Sequence, residues 1–361
     1  MPAWPEFSPP RRVYPRAACG AKRRTPRKAA PLDLTARRLA PPSGHGYPGP
    51  TLTRRAVITG AFSYIGAAVA RELHGRGWAI HTLTNRRAPA NAGLVTSAKL
   101  LFDPDHLADE LRGADVFVNT YWIRLPHAGD DFDTAVRNNA MLVDAAVRAR
   151  VRRLVYVSVS NASLDSRLGY YRGKAEVDAA VRGSGLPHAI VRPTLVVGPA
   201  DVLTANIAWF LRRFPVFPVP DGGAYRLQPV TLADTGRIVA DAAESSADLD
   251  VDAAGPDIVT FREYVELVAH ACDVKCPTFT APGRLALAGI RLVELFLGDT
   301  VLAREELAGL EQELLVSHAP PLGAERVDAW LFAHGAALGR SYVNDRRRHF
   351  GDLATSPICI P

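Results

Sequence analysis

The sequence predicts an α/β protein: a doubly wound parallel sheet, a smaller and mostly helical C-terminal lobe, and a disordered N-terminal tail. Three observations support this prediction. Short β-branched runs alternate with helical patterns from residue 55 to about residue 200. These runs are almost continuously apolar, as in a parallel sheet that is covered on both faces. The first 53 residues, in contrast, carry no sustained apolar period.

The predicted tail, residues 1–53, is rich in Pro, Arg and Ala and cannot bury enough apolar surface to offset its chain entropy. Twelve of the 43 basic residues lie within residues 1–55, against two of the 37 acidic residues. The rest of the chain is therefore mildly acidic, although the formal net charge is +6. Three interpretations of the tail stay open: a polybasic arm, an organellar transit peptide, or a product of an upstream start codon.

Six apolar runs predict the strands of the sheet. They are "AVIT" (56–59), "AIHTL" (79–83), "AKLLF" (98–102), "DVFVNT" (115–120), "RLVYVSVS" (153–160) and "HAIVRPT" (188–194). Helical patterns stand between them, for example at 65–77, 132–150 and 170–185. Strand–helix–strand repetition of this kind predicts a main domain over residues 54–200.

Beyond residue 200 the alternation weakens, and residues 201–361 are predicted to form the C-terminal lobe. Within it, a strand and a helix in 226–256 are expected to return to the main domain. The segment 285–303 predicts an amphipathic helix, which packs on the core, forms an interface or lies on a membrane surface. We expect no transmembrane segment, because every long apolar stretch is interrupted by charges; peripheral membrane contact stays open.

The stretch "TGAFSYIG" (59–66) follows the first predicted strand and opens a helix, as a dinucleotide-binding loop does. Gly60 permits the tight turn, and Gly66 permits close packing of the helix on the strand. Ser63 stands where the usual pattern has its middle glycine, and its small side chain can donate to a phosphate. The predicted contacts to the cofactor in this loop are Gly60, Phe62, Ser63, Tyr64, Ile65 and Gly66.

The end of the second strand favours NADP(H) over NAD(H). NAD-binding proteins place an acidic residue there, whereas an arginine accommodates the 2′-phosphate of NADP. Here the strand ends in "TLTNRR", which offers Asn85, Arg86 and Arg87 and no acid. Further candidate contacts to the cofactor follow the third and fourth strands: Asp103, Asn119 and Thr120.

Tyr170 and Lys174 are four residues apart on a predicted helix, which puts both on one face. A free tyrosine has a pKa of about 10, and an ammonium one turn away is expected to lower it, so that the phenol can act as an acid or base. The same lysine can bind the ribose of the nicotinamide. A hydroxyl from the preceding strand, Ser158 or Ser160, would orient a substrate carbonyl.

Together these stretches resemble the short-chain dehydrogenase/reductase superfamily, in its extended and atypical branch. That branch includes NAD-dependent epimerase/dehydratases and NmrA-like proteins. The matching stretches are "TGAFSYIG", "RRLVYVSVSN", "YYRGK", "VRPTLVVGP" (191–199) and "QPVTLADTGRIV" (228–239). The resemblance implies a Rossmann domain, a Ser–Tyr–Lys site and a C-terminal substrate lobe. It also implies that Pro193, Thr194 and Val196 approach the nicotinamide.

Three hypotheses of function follow. The first is an NADPH-dependent oxidoreductase that acts on a carbonyl or alcohol; Tyr121 and Trp122, after the fourth strand, either favour an apolar or aromatic ligand or cap the sheet. The second is a non-catalytic NADP(H)-binding protein, since the chain also resembles the nucleotide-binding accessory subunit of complex I. The third is an epimerase or dehydratase that retains its cofactor.

Other features indicate no further chemistry. The four cysteines lack the neighbouring ligands of a zinc site, so no metal is expected. The basic run "NDRRRHF" (344–350) is interpreted as a solvated helix face with too few charges to bind nucleic acid. A cytoplasmic location is expected. The sequence does not indicate the substrate or the oligomeric state.

Overall fold

The structure is a computed structural model that describes residues 54–351, except 91, 94 and 128, together with residues 356–358. The predicted N-terminal tail lies outside the described residues. The strands are β1 (Arg55–Thr59), β2 (Ala79–Leu83), β3 (Thr96–Ala98), β4 (Val116–Asn119), β5 (Leu154–Val157), β6 (His188–Pro193), β7 (Leu195–Val197), β8 (Phe217–Pro220), β9 (Arg226–Leu227), β10 (Pro229–Thr231), β11 (Leu249–Ala253), β12 (Val259–Thr260) and β13 (Thr278–Ala281).

Seven of these strands form one parallel sheet in the order β11-β6-β5-β4-β1-β2-β3. The predicted fold class is confirmed. β1 lies at the centre, where Ile58 is in register with Thr82 of β2 and Val118 of β4. The chain order reverses between β1 and β4, and a ligand crevice forms at the carboxyl end of a parallel sheet at such a point. The fold therefore places a candidate site at the carboxyl ends of β1 and β4.

Helices cover both faces of the sheet. They are α1 (Tyr64–Gly75), α2 (Pro104–Leu111), α3 (Phe132–Ala149), α4 (Gly169–Gly183), α5 (Val202–Arg213), α6 (Leu232–Glu244), α7 (Phe261–Ala271), α8 (Gly283–Leu297), α9 (Arg304–Glu311), α10 (Val327–His334) and α11 (Asp345–Phe350). One apolar core joins the sheet to α1 and α6, through side chains such as Leu73 and Ile238. A second joins the opposite face to α2, α3 and α4, through Leu111, Leu142 and Val177.

The C-terminal part of the chain is built on a third apolar core, which joins α5, α7 and α10 through Leu211, Tyr264 and Leu331. Within 226–256, α6 packs on α1 and β11 pairs with β6, whereas β10, the strand that precedes α6, pairs with β7 in a separate two-stranded sheet. The described residues form one compact unit. The boundary drawn after residue 200 therefore stays a prediction.

One strand is displaced from its predicted position. The apolar run 98–102 predicts β3, but β3 comprises Thr96–Ala98. The side chains of Leu100 and Phe102 instead pack on the core under α2 and α3. Among the described residues, no helix is long and apolar enough to cross a membrane; the cytoplasmic location stays a prediction.

Candidate functional site

The loop between β1 and α1 has the shape that a dinucleotide phosphate requires. Gly60 adopts a φ of +70°, and a Cβ on Gly66 would lie 2.2 Å from the carbonyl oxygen of Gly60. Both glycines are therefore needed. Ser63, in contrast, has φ −104° and ψ −177°, an ordinary extended conformation. The loop keeps its shape without a glycine at that position.

The first turn of α1 offers free donors to an anion. Ser63 makes no side-chain cap, and the first helical hydrogen bond runs from the N–H of Ala67 to the carbonyl of Ser63 (3.0 Å). Within the described residues, the N–H groups of Tyr64, Ile65 and Gly66 have no acceptor. Free N–H groups and the helix dipole together favour a phosphate at this end. The loop therefore fits the pyrophosphate of a nicotinamide dinucleotide.

The carboxyl ends of β1 and β4 are tied together beside this loop. The Thr120 hydroxyl donates to the carbonyl of Thr59 (2.6 Å), and the Thr59 hydroxyl donates to Asn119 Oδ1 (3.2 Å). Asn119 in turn donates to Asn139 Oδ1 of α3 (2.8 Å). Asn119 is fully buried, so its side chain acts here as a brace. Its predicted contact with a cofactor stays a prediction, as does that of Thr120.

The loop after β2 carries Arg86 against the C-terminal segment. Its guanidinium donates to the carbonyl of Ser356 (2.7 Å) and to that of Arg348 (3.0 Å). The N–H of Ile358 donates to the carbonyl of Phe62 in the phosphate loop (3.0 Å). Residues 356–358 therefore border both Arg86 and the phosphate loop, between which the adenosine half of the cofactor is expected.

Arg348 is a residue that the sequence prediction missed. The basic run 344–350 predicts a solvated face, but Arg348 is half-buried and donates to the carbonyl of Ala200 (3.0 Å). Burial lowers the pKa of Arg86, and the charge of Arg348 lowers it further. The charge of Arg348 also acts on the buried hydroxyl of Tyr64. A second guanidinium thus reaches the predicted 2′-phosphate side of the site.

The other predicted contacts around β2 and β3 are exposed. Asn85 donates to the carbonyl of Leu100 (3.4 Å), and the Arg87 side chain faces solvent. Asp103 caps α2 by accepting a hydrogen bond from the N–H of His106 (2.8 Å). The structure gives all three a position at the carboxyl edge, and their contact with adenosine stays a prediction.

Tyr170 and Lys174 lie on α4 as predicted, and Trp122 covers the face that they share. The ring centroids of Trp122 and Tyr170 are 5.9 Å apart, and the Lys174 ammonium lies 4.6 Å from the centroid of the Trp122 ring. A Cβ on Gly173 would lie 3.0 Å from the Trp122 ring. Phe132 closes the other side of Tyr170, with centroids 5.8 Å apart.

The electrostatics of the pair differ from the prediction. Lys174 is 3% exposed, and its Nζ donates to the carbonyl of Val157 (2.9 Å). Burial lowers the pKa of Lys174 to about 7, against the opposing effect of Asp178. Burial and then Glu306 raise the pKa of Tyr170 to about 12, against the opposing effect of Arg124. The expectation that Lys174 lowers the pKa of Tyr170 is therefore wrong for this conformation.

The two candidate serines are placed differently. Ser160 is fully buried and donates to the carbonyl of Leu314 (2.7 Å). Ser158 faces Asp178, whose pKa is raised by burial and lowered by the Ser158 hydroxyl and by Arg192. Ser158 therefore belongs to the same buried polar cluster as Lys174. Which of the two hydroxyls faces a substrate stays a prediction.

The segment after β6 is held by the backbone of its neighbours. The Thr194 hydroxyl donates to the carbonyl of Gln228 (2.5 Å), and the N–H of Thr194 donates to that of Ala253 (3.1 Å). Pro193 ends β6 and is buried, whereas Val196 in β7 is half-buried. Their predicted approach to the nicotinamide stays a prediction.

An ion-pair cluster closes the site around Tyr170. Arg124, in the loop after β4, makes two bonds to Glu306 of α9 (2.7 and 3.0 Å) and an ion pair with Asp345 of α11 (3.2 Å). Burial raises the pKa of Asp345, but His349 and Arg124 outweigh it and lower the pKa to about 2. Glu305 accepts from the N–H of Tyr170 (3.3 Å). α9 is thus fastened across the start of α4.

A large apolar cavity lies beside α9, whose Leu310 lines it. Its volume is about 520 Å³, and its walls come from α5, α8, β8 and β13. Representative lining residues are Ile207, Phe210, Phe217, Tyr225, Ile290 and Leu310. Polar atoms contribute little to the lining, and the Tyr225 hydroxyl is buried with no hydrogen-bond partner among the described residues. The cavity suits an apolar ligand.

Residues 60–201 match the family model of NAD(P)H-binding domains. This part of the chain is similar to NAD(P)H-binding domains. The matched range contains the phosphate loop, Tyr170 and Lys174. The match agrees with the resemblance to the short-chain dehydrogenase/reductase superfamily, whose extended branch stays a prediction.

Two curated proteins are similar to part of this chain. The chain is 30% identical over 169 residues to a ceramide reductase of Caulobacter vibrioides. This match covers 45% of the chain and 52% of that protein. The chain is 27% identical over 176 residues to the mitochondrial NADH dehydrogenase (ubiquinone) 1 alpha subcomplex subunit 9 of Arabidopsis thaliana, with 46% and 44% covered. The chain spans about half the length of these curated relatives.

A solved structure shares the fold over most of the chain. A nucleoside-diphosphate-sugar epimerase from Staphylococcus aureus superposes with a TM-score of 0.62 and 14% sequence identity. The match covers 77% of this chain and 99% of that protein. At this identity the similarity establishes the fold alone, and the chemistry has to be argued from the residues described above.

Proposed function

We propose that this NAD(P)H-binding protein is an oxidoreductase that reduces a carbonyl group of an apolar molecule. The observation that carries the proposal is the position of Tyr170 and Lys174 on one face of α4, at the same edge of the sheet as the phosphate loop. The nicotinamide, when bound, supplies the hydride. The chain has to bind and orient the reactants and supply a proton.

Tyr170 is the proton donor in this proposal. A phenol with a pKa near 12 is protonated at neutral pH, so Tyr170 Oη can donate to a carbonyl oxygen that is being reduced. Lys174 has a pKa of about 7, so it gains and loses a proton near neutral pH. In its protonated form, Lys174 places a positive charge beside the phenol. Trp122 has to move off Lys174 before the ribose of the cofactor can reach the ammonium.

We further propose NADP(H) as the preferred cofactor. Arg86 lies near Arg348 at the end of β2; burial and then the charge of Arg348 lower the pKa of Arg86, and Asp345 opposes them. A 2′-phosphate would neutralise both, and arginine is well suited to bind phosphate with its paired donors. No acidic side chain follows β2 directly to hold a 2′-hydroxyl.

The proposed substrate is apolar because the cavity between α5 and α8 is apolar. Its volume of about 520 Å³ exceeds what a short carbonyl compound needs, and few polar atoms line it. The relative from Caulobacter is named a ceramide reductase, which agrees with a long-chain substrate. Leu310 of α9 and Leu302, just before α9, line the cavity. The same helix contacts Tyr170, because Glu305 accepts a hydrogen bond from the N–H of Tyr170.

A second candidate function, NADP(H) binding without turnover, is favoured by one observation. Trp122 covers the Tyr170–Lys174 face, and Phe132 and Arg124 enclose it further. If this closed state also persists with the cofactor bound, no carbonyl reaches Tyr170. The similarity to a subunit of mitochondrial NADH dehydrogenase agrees with this candidate.

One experiment separates the two. The purified protein is titrated with NADPH by fluorescence and then supplied with long-chain aldehydes, ketones and 3-oxo lipids, while the consumption of NADPH is followed. For an oxidoreductase, Tyr170→Phe should lower kcat by at least about 100-fold, the usual contribution of a general acid, and leave NADPH binding intact. Tyr171→Phe, the adjacent buried tyrosine, is the matched control. Binding without turnover would support the second candidate, and no binding would contradict both.

A further inference from the structure

Helix α8 exposes an apolar surface that the proposed reaction does not use. Its sequence is GRLALAGIRLVELFL, but Ala286 is the only buried apolar side chain among those that the structure describes in it. Leu285 is 66% exposed, Leu295 is 81% exposed and Phe296 is 89% exposed. A helix on a globular protein normally buries its apolar stripe. The α8 helix leaves much of its stripe in water, which marks an interaction surface.

The exposed face continues into the mouth of the apolar cavity. Phe214, Val216, Phe279 and Leu285 line the cavity and are also exposed. Together with α8 they form one surface, which we call the α8 surface: Phe214, Val216, Phe279, Leu285, Leu295 and Phe296. The apolar interior of the cavity thus opens onto an apolar exterior.

Arginines line the adjacent side of α8. Arg284, Arg291 and Arg304 surround a separate hollow, and all three are exposed. None of them forms an ion pair with a described residue. Arg284 and Arg291 are two helical turns apart and so share one face of α8. Glu294, the acidic residue of α8, accepts from the N–H of Val301 (2.8 Å) and is turned away to that loop.

We propose that the α8 surface docks onto an anionic lipid bilayer. A helix that lies in a membrane interface needs large apolar side chains on one face and cationic side chains beside them. Leu295 and Phe296 would enter the acyl region, while the three arginines bind headgroup phosphates. This arrangement complements a bilayer better than it does a protein, because a protein partner would need carboxylates at all three arginines beside an apolar groove.

The docking would also place the mouth of the cavity against the lipid. An acyl chain then passes from the bilayer into the cavity without crossing water, which opposes the transfer of apolar surface. The docking itself does not depend on hydride transfer. Its test can therefore be run without cofactor or substrate, and its failure would leave the proposed oxidoreductase untouched.

The test is co-flotation of the full chain with phosphatidylcholine vesicles, with and without phosphatidylglycerol. We expect binding to the anionic vesicles that weakens with added salt. Leu295→Ser with Phe296→Ser should lower the affinity at least tenfold. Replacing Arg284, Arg291 and Arg304 by Gln should lower it on the order of fivefold for each arginine. Phe332→Ser, which changes another exposed phenylalanine, is the matched control and should bind as the unmodified protein does.

Three outcomes would overturn the proposal. Equal binding of the α8 variants and the unmodified chain would assign any vesicle binding to another part, such as the basic N-terminal residues. Binding that ignores the anionic lipid would remove the role of the arginines. A dimer in light scattering that dissociates on changing Leu295 and Phe296 would assign the surface to a second copy of the chain. Folding of every variant is checked by circular dichroism and thermal unfolding.

Discussion

At the scale of single residues, the surroundings of Lys174 depart most from what the sequence indicates. The spacing of four residues correctly puts Tyr170 and Lys174 on one face of α4. It says nothing about Trp122, which comes from a loop some 50 residues earlier and covers that face. A local pattern fixes which face of a helix a residue occupies. The charge state of that residue depends on what packs against it from distant parts of the chain.

This burial predicts a specific dependence of stability on pH. The pKa of Lys174 is about 7 in the folded protein and 10.5 for the free side chain. Between these values the unfolded chain binds a proton at Lys174 that the folded chain does not, so the free energy of unfolding rises with pH in this window. Below pH 7 Lys174 is protonated in both states, and the destabilisation by its buried charge is complete. Lys174→Met should remove this rise, which we expect to be about 2 kcal/mol between pH 7 and pH 9.

The measurement is urea unfolding of both proteins across this pH range. Arg172→Met, on the exposed side of the same helix, controls for the loss of a charge from α4. Parallel pH profiles for the unmodified protein and Lys174→Met would mean that Lys174 is charged in the folded state and that the covering by Trp122 is not maintained in solution.

At the scale of elements, the phosphate loop and α1 are the part that the sequence predicts best. Strand, turn and helix are consecutive in the chain, and Gly60 and Gly66 are required by contacts within the loop itself. The displaced β3 illustrates the opposite case. The run 98–102 is largely apolar, as a strand would be, but Leu100 and Phe102 pack on the core beside the helices and Leu101 stays exposed, and pairing with β2 ends at Ala98. Tertiary packing overrides such a short pattern.

The loop geometry predicts different outcomes for substitutions at Gly66 and at Ser63. In Gly66→Ala the new Cβ would lie 2.2 Å from the Gly60 carbonyl oxygen, which forces α1 away from β1. We expect a loss of more than about 3 kcal/mol in the free energy of unfolding. In Ser63→Gly the extended backbone needs no glycine, and the change should stay within about 1 kcal/mol.

Chemical denaturation of the two variants is the check, and NADPH titration is run on the one that folds. Ser63→Gly should still bind NADPH, because the donors at this end are backbone N–H groups of Tyr64, Ile65 and Gly66. A Gly66→Ala protein as stable as the unmodified chain would show that the close approach of α1 to the loop is not needed.

At the scale of the whole molecule, the site is completed by residues that are far apart in sequence. Arg86 and the carbonyl of Ser356 are separated by 270 positions, and Arg124 meets Glu306 across 182. The alternating pattern predicts the sheet because each strand and its helix are neighbours in the chain. Nothing in the pattern indicates that α9, α11 and the C-terminal segment fold back onto the carboxyl edge, so Arg348 could not be found in this way.

This long-range closure predicts how the protein distinguishes its cofactors. Arg86→Ala or Arg348→Ala should weaken NADPH binding by about tenfold or more, the usual loss on removing a hydrogen bond to a charged group. NADH, which lacks the 2′-phosphate, should bind these variants nearly as well as it binds the unmodified protein. Arg137→Ala, at an exposed position of α3, is the matched control. The quantity to measure is the ratio of the two dissociation constants, because a general loss of fold affects both cofactors alike. An unchanged ratio in both variants would mean that these guanidinium groups only anchor the C-terminal segment, through the carbonyls of Ser356 and Ala200.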